Sequence, residues 1–110
     1  IPEFYYVATP KNARKINDQR VKQFYENSYA FDIGKTNFSY DGVDIQIYNK
    51  ERLLVELVRN KRKFSFDLYK ELIANYRKMI YELDMSVVAE YAYQLPKSNM
   101  VMETIRLEVM

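Results

Sequence analysis

Asp41-Gly42 stands between two runs, Lys35 to Tyr40 and Val43 to Tyr48, in which aromatic and β-branched residues recur. A two-residue hairpin loop that matches the twist of its strands needs positive φ at both central positions. Asp tolerates that conformation and Gly adopts it at little steric cost. The pair therefore predicts a hairpin with its tip at Asp41-Gly42. In the second arm Val43, Ile45 and Ile47 alternate with Asp44, Gln46 and Tyr48, the period of a strand with one buried and one wet face.

After the hairpin the period changes. Asn49 is placed to cap a helix, and Glu51 falls in the first turn, where the helix dipole favours negative charge. Leu53, Leu54, Leu57 and Val58 form an apolar stripe, and Arg59-Asn60-Lys61-Arg62-Lys63 closes the helix in cations. A second helix is expected from about Phe66 to Leu83, with Leu68, Leu72, Ile73, Tyr76, Met79, Ile80 and Leu83 facing inward. A third is expected from Met85 to Leu95, ending at Pro96. In a fourth, capped by Ser98, Val101, Ile105 and Val109 recur every fourth residue. Before the hairpin, Glu3 to Thr9 and Val21 to Glu26 read as strands and Lys11 to Asn17 as a solvated loop or one helical turn, while Tyr29 to Gly34 is ambiguous. The expected architecture is α+β: a small antiparallel sheet with a β-hairpin, followed by about four packed helices.

A length of 110 residues without a linker-like stretch points to a single domain, 1–110. The 48% hydrophobic content, with 11 Tyr and 6 Phe, is enough to build a core without metal or disulfide. The chain has no Cys and no His. It therefore lacks thiolate chemistry, ordinary zinc ligation and the usual general base near neutral pH. Carboxylates remain as possible ligands for Mg²⁺, but Asp44-Ile45-Gln46-Ile47 lacks the Lys that a metal-dependent nuclease pattern requires, and Asp41 is accounted for by the turn. The expectation is a protein that is not an enzyme and uses no cofactor or metal. No apolar run approaches the roughly 18 residues of a membrane span, so a cytoplasmic protein is expected. The sequence opens on Ile-Pro-Glu, as a piece of a longer chain would.

Charge is unevenly placed. Residues 1–63 hold 12 Lys/Arg against 8 Asp/Glu, and residues 64–110 hold 5 against 7. Two basic segments stand out. The first is Lys11, Arg14, Lys15, Arg20 and Lys22, beside Tyr5, Tyr6, Phe24 and Tyr25; the second is Arg59, Lys61, Arg62 and Lys63. Cations beside aromatics can neutralise phosphates and stack bases, and four cations at one helix end exceed what the dipole requires. A solvated loop and a solvated helix end are the competing readings. All four cations of the second segment fall past the apolar stripe, so folding is expected to survive their removal. Met100, Met102 and Met110 suit either core filling or an adaptable partner surface.

The stretch Tyr48-Asn49-Lys50-Glu51-Arg52-Leu53-Leu54, with Glu56 and Val58-Arg59-Asn60 after it, resembles the C-terminal domains of AbiEi-type antitoxins of bacterial abortive-infection, type IV toxin-antitoxin systems. Tyr48, Asn49, Glu51 and Arg52 carry the motif. Glu90-Tyr91-Ala92 and Leu107-Glu108-Val109-Met110 look like the closing helices of that family, so the likeness runs from about Thr9 to the C-terminus. The resemblance implies an antitoxin and transcriptional regulator, active in phage defence, that opposes a nucleotidyltransferase-like toxin without forming a stable complex with it. Family members begin with a DNA-binding winged helix-turn-helix; none precedes Ile1, so this sequence is expected to be the C-terminal domain. Nucleic acid is a possible partner of the basic segments. The alternative is a stand-alone protein-interaction module with no nucleic-acid role.

Overall fold

The computed structural model describes residues 5–110. The chain gathers into two compact units, Ile1–Ile33 and Gly34–Met110.

The first unit contains β1 (Tyr5–Pro10), β2 (Val21–Glu26) and a one-turn helix, α1 (Ser28–Phe31). Of the strand expected over Glu3 to Thr9, Glu3 and Phe4 lie outside the described residues. β1 and β2 pair in parallel, Tyr5 opposite Val21 and Pro10 opposite Glu26, which corrects the expectation of one antiparallel sheet. The ten residues between the strands contain no tight-turn pair. At roughly 3.3–3.6 Å per extended residue, they are long enough to return to the start of a strand of about 20 Å. Gln23 pins this connection. Its carbonyl accepts from Ile16 N at 2.8 Å, and its amide donates to Thr9 Oγ1 at 2.8 Å and to the Arg14 carbonyl at 3.1 Å.

The second unit opens with the predicted hairpin, β3 (Lys35–Tyr40) and β4 (Val43–Tyr48), paired antiparallel. Asp41 and Gly42 have φ of 52° and 77°, the positive values that the turn requires. The expected buried face is not buried. Val43, Ile45 and Ile47 are 60%, 41% and 44% exposed, and Phe38, which pairs with Ile45, is 48% exposed. Alternation shows that one face is apolar, and a two-stranded ribbon does not by itself supply a layer to cover it.

Four helices come next: α2 (Lys50–Arg59), α3 (Phe66–Lys78), α4 (Met85–Tyr93) and α5 (Ser98–Glu108), with 3₁₀ turns at Lys61–Lys63 and Ile80–Glu82. The side chains of Asn49, Ser65 and Asp84 cap the first three by accepting backbone N–H bonds. α3 ends at Lys78, short of the expected Leu83, because Met79 leaves the helical conformation and the chain tightens into the second 3₁₀ turn. The expected cap of α5, Ser98, is its first helical residue, and the cap position belongs to Lys97. α2 is central, packing on α4 and α5. Leu54, Val55, Leu57 and Val58 are buried with Val88, Ala92, Val101, Ile105 and Val109, and each fully buried Val or Leu stabilises the fold by roughly 1.5–3 kcal/mol. Leu53, placed in the stripe by the sequence, is 46% exposed, and Val55 takes its place in the core.

Candidate nucleic-acid interface

The two ends of α2 hold the two sets of residues singled out by sequence. At its start, Asn49 accepts from Arg52 N at 2.9 Å, donates from its side-chain amide to the Tyr91 hydroxyl at 2.9 Å, and donates from its backbone N–H to the Gly34 carbonyl at 2.8 Å. One residue thus ties hairpin, α2 and α4 together. The guanidinium of Arg52 is fully buried, lies 4.4 Å from the Tyr48 ring centroid, and donates to Glu56 through Nε at 3.0 Å and through a second nitrogen. Glu56 also accepts from Arg59 at 3.0 and 3.1 Å and from the Asn60 amide at 2.8 Å. Glu51 accepts from the Asp84 N–H at 3.3 Å, and the Lys50 carbonyl accepts from the Tyr76 hydroxyl at 3.0 Å. Burial, and after it the Glu51 charge, pushes the Tyr76 phenol up to about 12. Tyr48, Asn49, Glu51 and Arg52 therefore hold the fold together, and Arg52 presents no charge to a ligand.

At the far end of α2 the chain forms an open groove of about 960 Å³. Met100 contributes apolar surface, Phe64 and Phe66 aromatic rings, and Arg59, Lys61, Arg62, Lys63 and Lys97 the charge, with the buried Val58 and Tyr69 beneath. Among the described residues, no carboxylate lines it. The five cations are not equivalent. Arg59 is bound to Glu56, with a side chain only 13% exposed, so Arg59, unlike the exposed Arg62, is held in the network inside the fold. Lys61 approaches Glu108 at 3.4 Å and lies 4.9 Å from the Tyr69 ring centroid. Burial, with the Glu108 carboxylate second, pushes the Tyr69 phenol up to about 12. Arg62 and Lys63 are exposed on the 3₁₀ turn. Lys97, separated from them in sequence, reaches the same groove from the start of α5. It does so in the left-handed conformation, φ 65°, which costs a residue with a Cβ roughly 1–2 kcal/mol.

The first basic segment lies in the first unit. Lys11, Arg14, Lys15, Arg20 and Lys22 are all exposed. Lys11, Arg14, Lys15 and Arg20 lie on the connection pinned by Gln23, and Lys22 lies on β2 opposite Tyr6. Arg20 is paired with Asp18 at 3.0 Å, and that guanidinium holds the Asp18 carboxyl below its usual range. The Tyr6 and Phe24 rings stand 6.1 Å apart, tilted, against each other. The two basic segments are thus different objects: a loop of dispersed cations, and a groove in which cations and aromatics converge.

Sequence reasoning missed Lys97, Phe64 and Phe66 as groove residues. Only the return of α5 alongside α2 brings Lys97 to Arg62, and no spacing in the chain records that. It also missed Glu56 as a buried anion, although the apolar residues around it at Leu54, Val55, Leu57 and Val58 mark α2 as a helix enclosed on most sides. Among the described residues, no three carboxylates converge on a possible metal position, and no helix is long and apolar enough to cross a membrane. Compared with known proteins, the chain matches no family model and no curated protein.

Proposed function

We propose that this chain is a non-catalytic nucleic-acid-contacting domain, the C-terminal domain of an AbiEi-type antitoxin and transcriptional regulator that counteracts a nucleotidyltransferase-like toxin. One observation carries the nucleic-acid reading: among the described residues, five cations and no carboxylate line a single groove, and two of those cations, Arg62 and Lys97, have no ion pair. A polyanion is the ligand such a surface suits, because each neutralised phosphate releases condensed counterions. The antitoxin reading rests on the motif around Tyr48 to Arg52 and on the order of the elements.

The test of the nucleic-acid reading is a salt titration of binding to one DNA duplex. Arg62→Ala with Lys97→Ala is expected to weaken binding and to flatten the slope of log affinity against log salt by roughly 0.9 for each phosphate no longer neutralised. Equal slopes for the parent and the double variant would make the groove a solvated helix end. Co-expression with a nucleotidyltransferase-like toxin encoded beside this chain's gene tests the other half. Restored growth supports the antitoxin role, and continued arrest with the chain present and folded removes it.

The exposed apolar face of the hairpin, formed by Phe38, Val43, Ile45 and Ile47, favours a second reading, a protein-interaction module. Binding to a protein partner that survives high salt and is lost in Ile45→Lys would support it.

A further inference from the structure

We infer that the groove at the end of α2 takes single-stranded nucleic acid in preference to duplex, with an unstacked base on Phe66 and phosphates on Arg62 and Lys97. The inference rests on the nucleic-acid reading of the groove and sharpens it.

Phe66 is the first residue of α3 and is 74% exposed, and its ring lines a groove that also holds Phe64 and five cations. A lone exposed Phe calls for no explanation; one placed among cations at a concave surface offers a stacking platform beside phosphate-binding charge. That pairing is how proteins grip single strands, since every base has a π-face and the backbone follows the positive charge. Duplex phosphates would use the cations alone, because bases in a duplex are already stacked on each other. The volume, about 960 Å³, falls in the range of roughly 300–1,000 Å³ typical of small-ligand sites. It can admit extruded bases, whereas a double helix would sit across its mouth. Met100, 42% exposed, supplies apolar surface against which a base edge loses little on leaving water. Base stacking and phosphate contact are common to single-stranded DNA and RNA, so both share the predicted chemistry.

The experiment uses fluorescence anisotropy with the 110-residue chain and four probes at one salt concentration: oligothymidylate, oligouridylate, an abasic strand and a duplex, all of equal length. One or both of the base-bearing single strands are expected to bind at least about tenfold more tightly than the duplex and the abasic strand, and comparing the two shows which sugar is preferred. Phe66→Ala is expected to lower single-strand affinity by about tenfold, the scale of one base–aromatic stack, while duplex and abasic binding stay unchanged. Circular dichroism checks that the variant is folded. If the duplex binds as tightly as the single strands, or Phe66→Ala leaves single-strand affinity intact, the stacking inference is overturned while the nucleic-acid reading stands. No binding to any probe at low salt overturns both.

Discussion

Arg52 and Arg62 lie at opposite ends of one helix and its 3₁₀ extension, and they do opposite things with the same guanidinium. Arg52 is fully buried, neutralised by Glu56 and stacked on Tyr48; Arg62 is exposed at a groove, with no carboxylate in the lining among the described residues. The difference comes from what the surrounding chain supplies. At the start of α2, hairpin, α4 and α2 close over the charge, so it must be paired. At the exit, the chain turns away and leaves charge in water. A charged residue on an amphipathic helix is therefore not evidence of a surface until its neighbours in space are known.

The sharpest way to break this comparison is to remove the shared anion. Glu56→Ala removes the carboxylate that the buried Arg52 and the nearly buried Arg59 share and should destabilise the chain by roughly 3–5 kcal/mol, the usual result of removing one partner from a buried pair. Urea unfolding measures it. Arg62→Ala, measured alongside, should fall within about 0.5 kcal/mol of the parent, as surface changes do. A Glu56→Ala loss below about 1 kcal/mol would mean that water reaches Arg52 and that the two ends differ less than their exposure indicates.

A smaller effect separates the two glycines. Both have positive φ, 78° at Gly34 and 77° at Gly42, so an added Cβ is strained at either. At Gly34 it would also stand 2.6 Å from Arg52 Cβ and 3.2 Å from the Tyr91 ring, while at Gly42 nothing lies within 4 Å. Gly42→Ala should cost roughly 1 kcal/mol, from backbone strain alone. Gly34→Ala should cost more, about 2–4 kcal/mol, because Arg52 cannot move without breaking its bond to Glu56. Thermal unfolding of both variants decides it, and equal losses would show that the network around Arg52 yields easily.

The smallest effect is on alkaline stability. Tyr69 and Tyr76 are held protonated to about 12 in the folded chain, against an ordinary value of 10.0. Between those values the folded chain binds more protons than the unfolded chain, so the stability present below pH 10 declines as pH rises towards 12. Tyr76→Phe removes the titrating hydroxyl and should flatten that decline in urea midpoints taken from about pH 9 to about pH 11. An unchanged slope would place the Tyr76 hydroxyl in water rather than on the Lys50 carbonyl.

Local chemistry made part of this legible from sequence. The hairpin tip arises from the steric demand of its turn, the cap at Asn49 and the apolar repeat of Val101, Ile105 and Val109 from hydrogen bonding and helical period. The basic exit of α2 was visible as a run of cations. Each of these depends on residues a few positions apart, whose geometry the backbone dictates wherever the rest of the chain goes.

Features that depend on distant residues were not legible. The parallel pairing of β1 and β2 turns on the path of a ten-residue connection, held by Gln23 across the register. The openness of the hairpin face depends on which element packs over it. The groove exists because α5 returns beside the end of α2, setting Lys97 and Met100 near Arg62 and Phe66. By itself the sequence determined turns, caps, helices and the inventory of charge. Only the tertiary structure decided which charges are buried and which stay open to a ligand, because burial is set by neighbours that meet through folding and not through spacing along the chain.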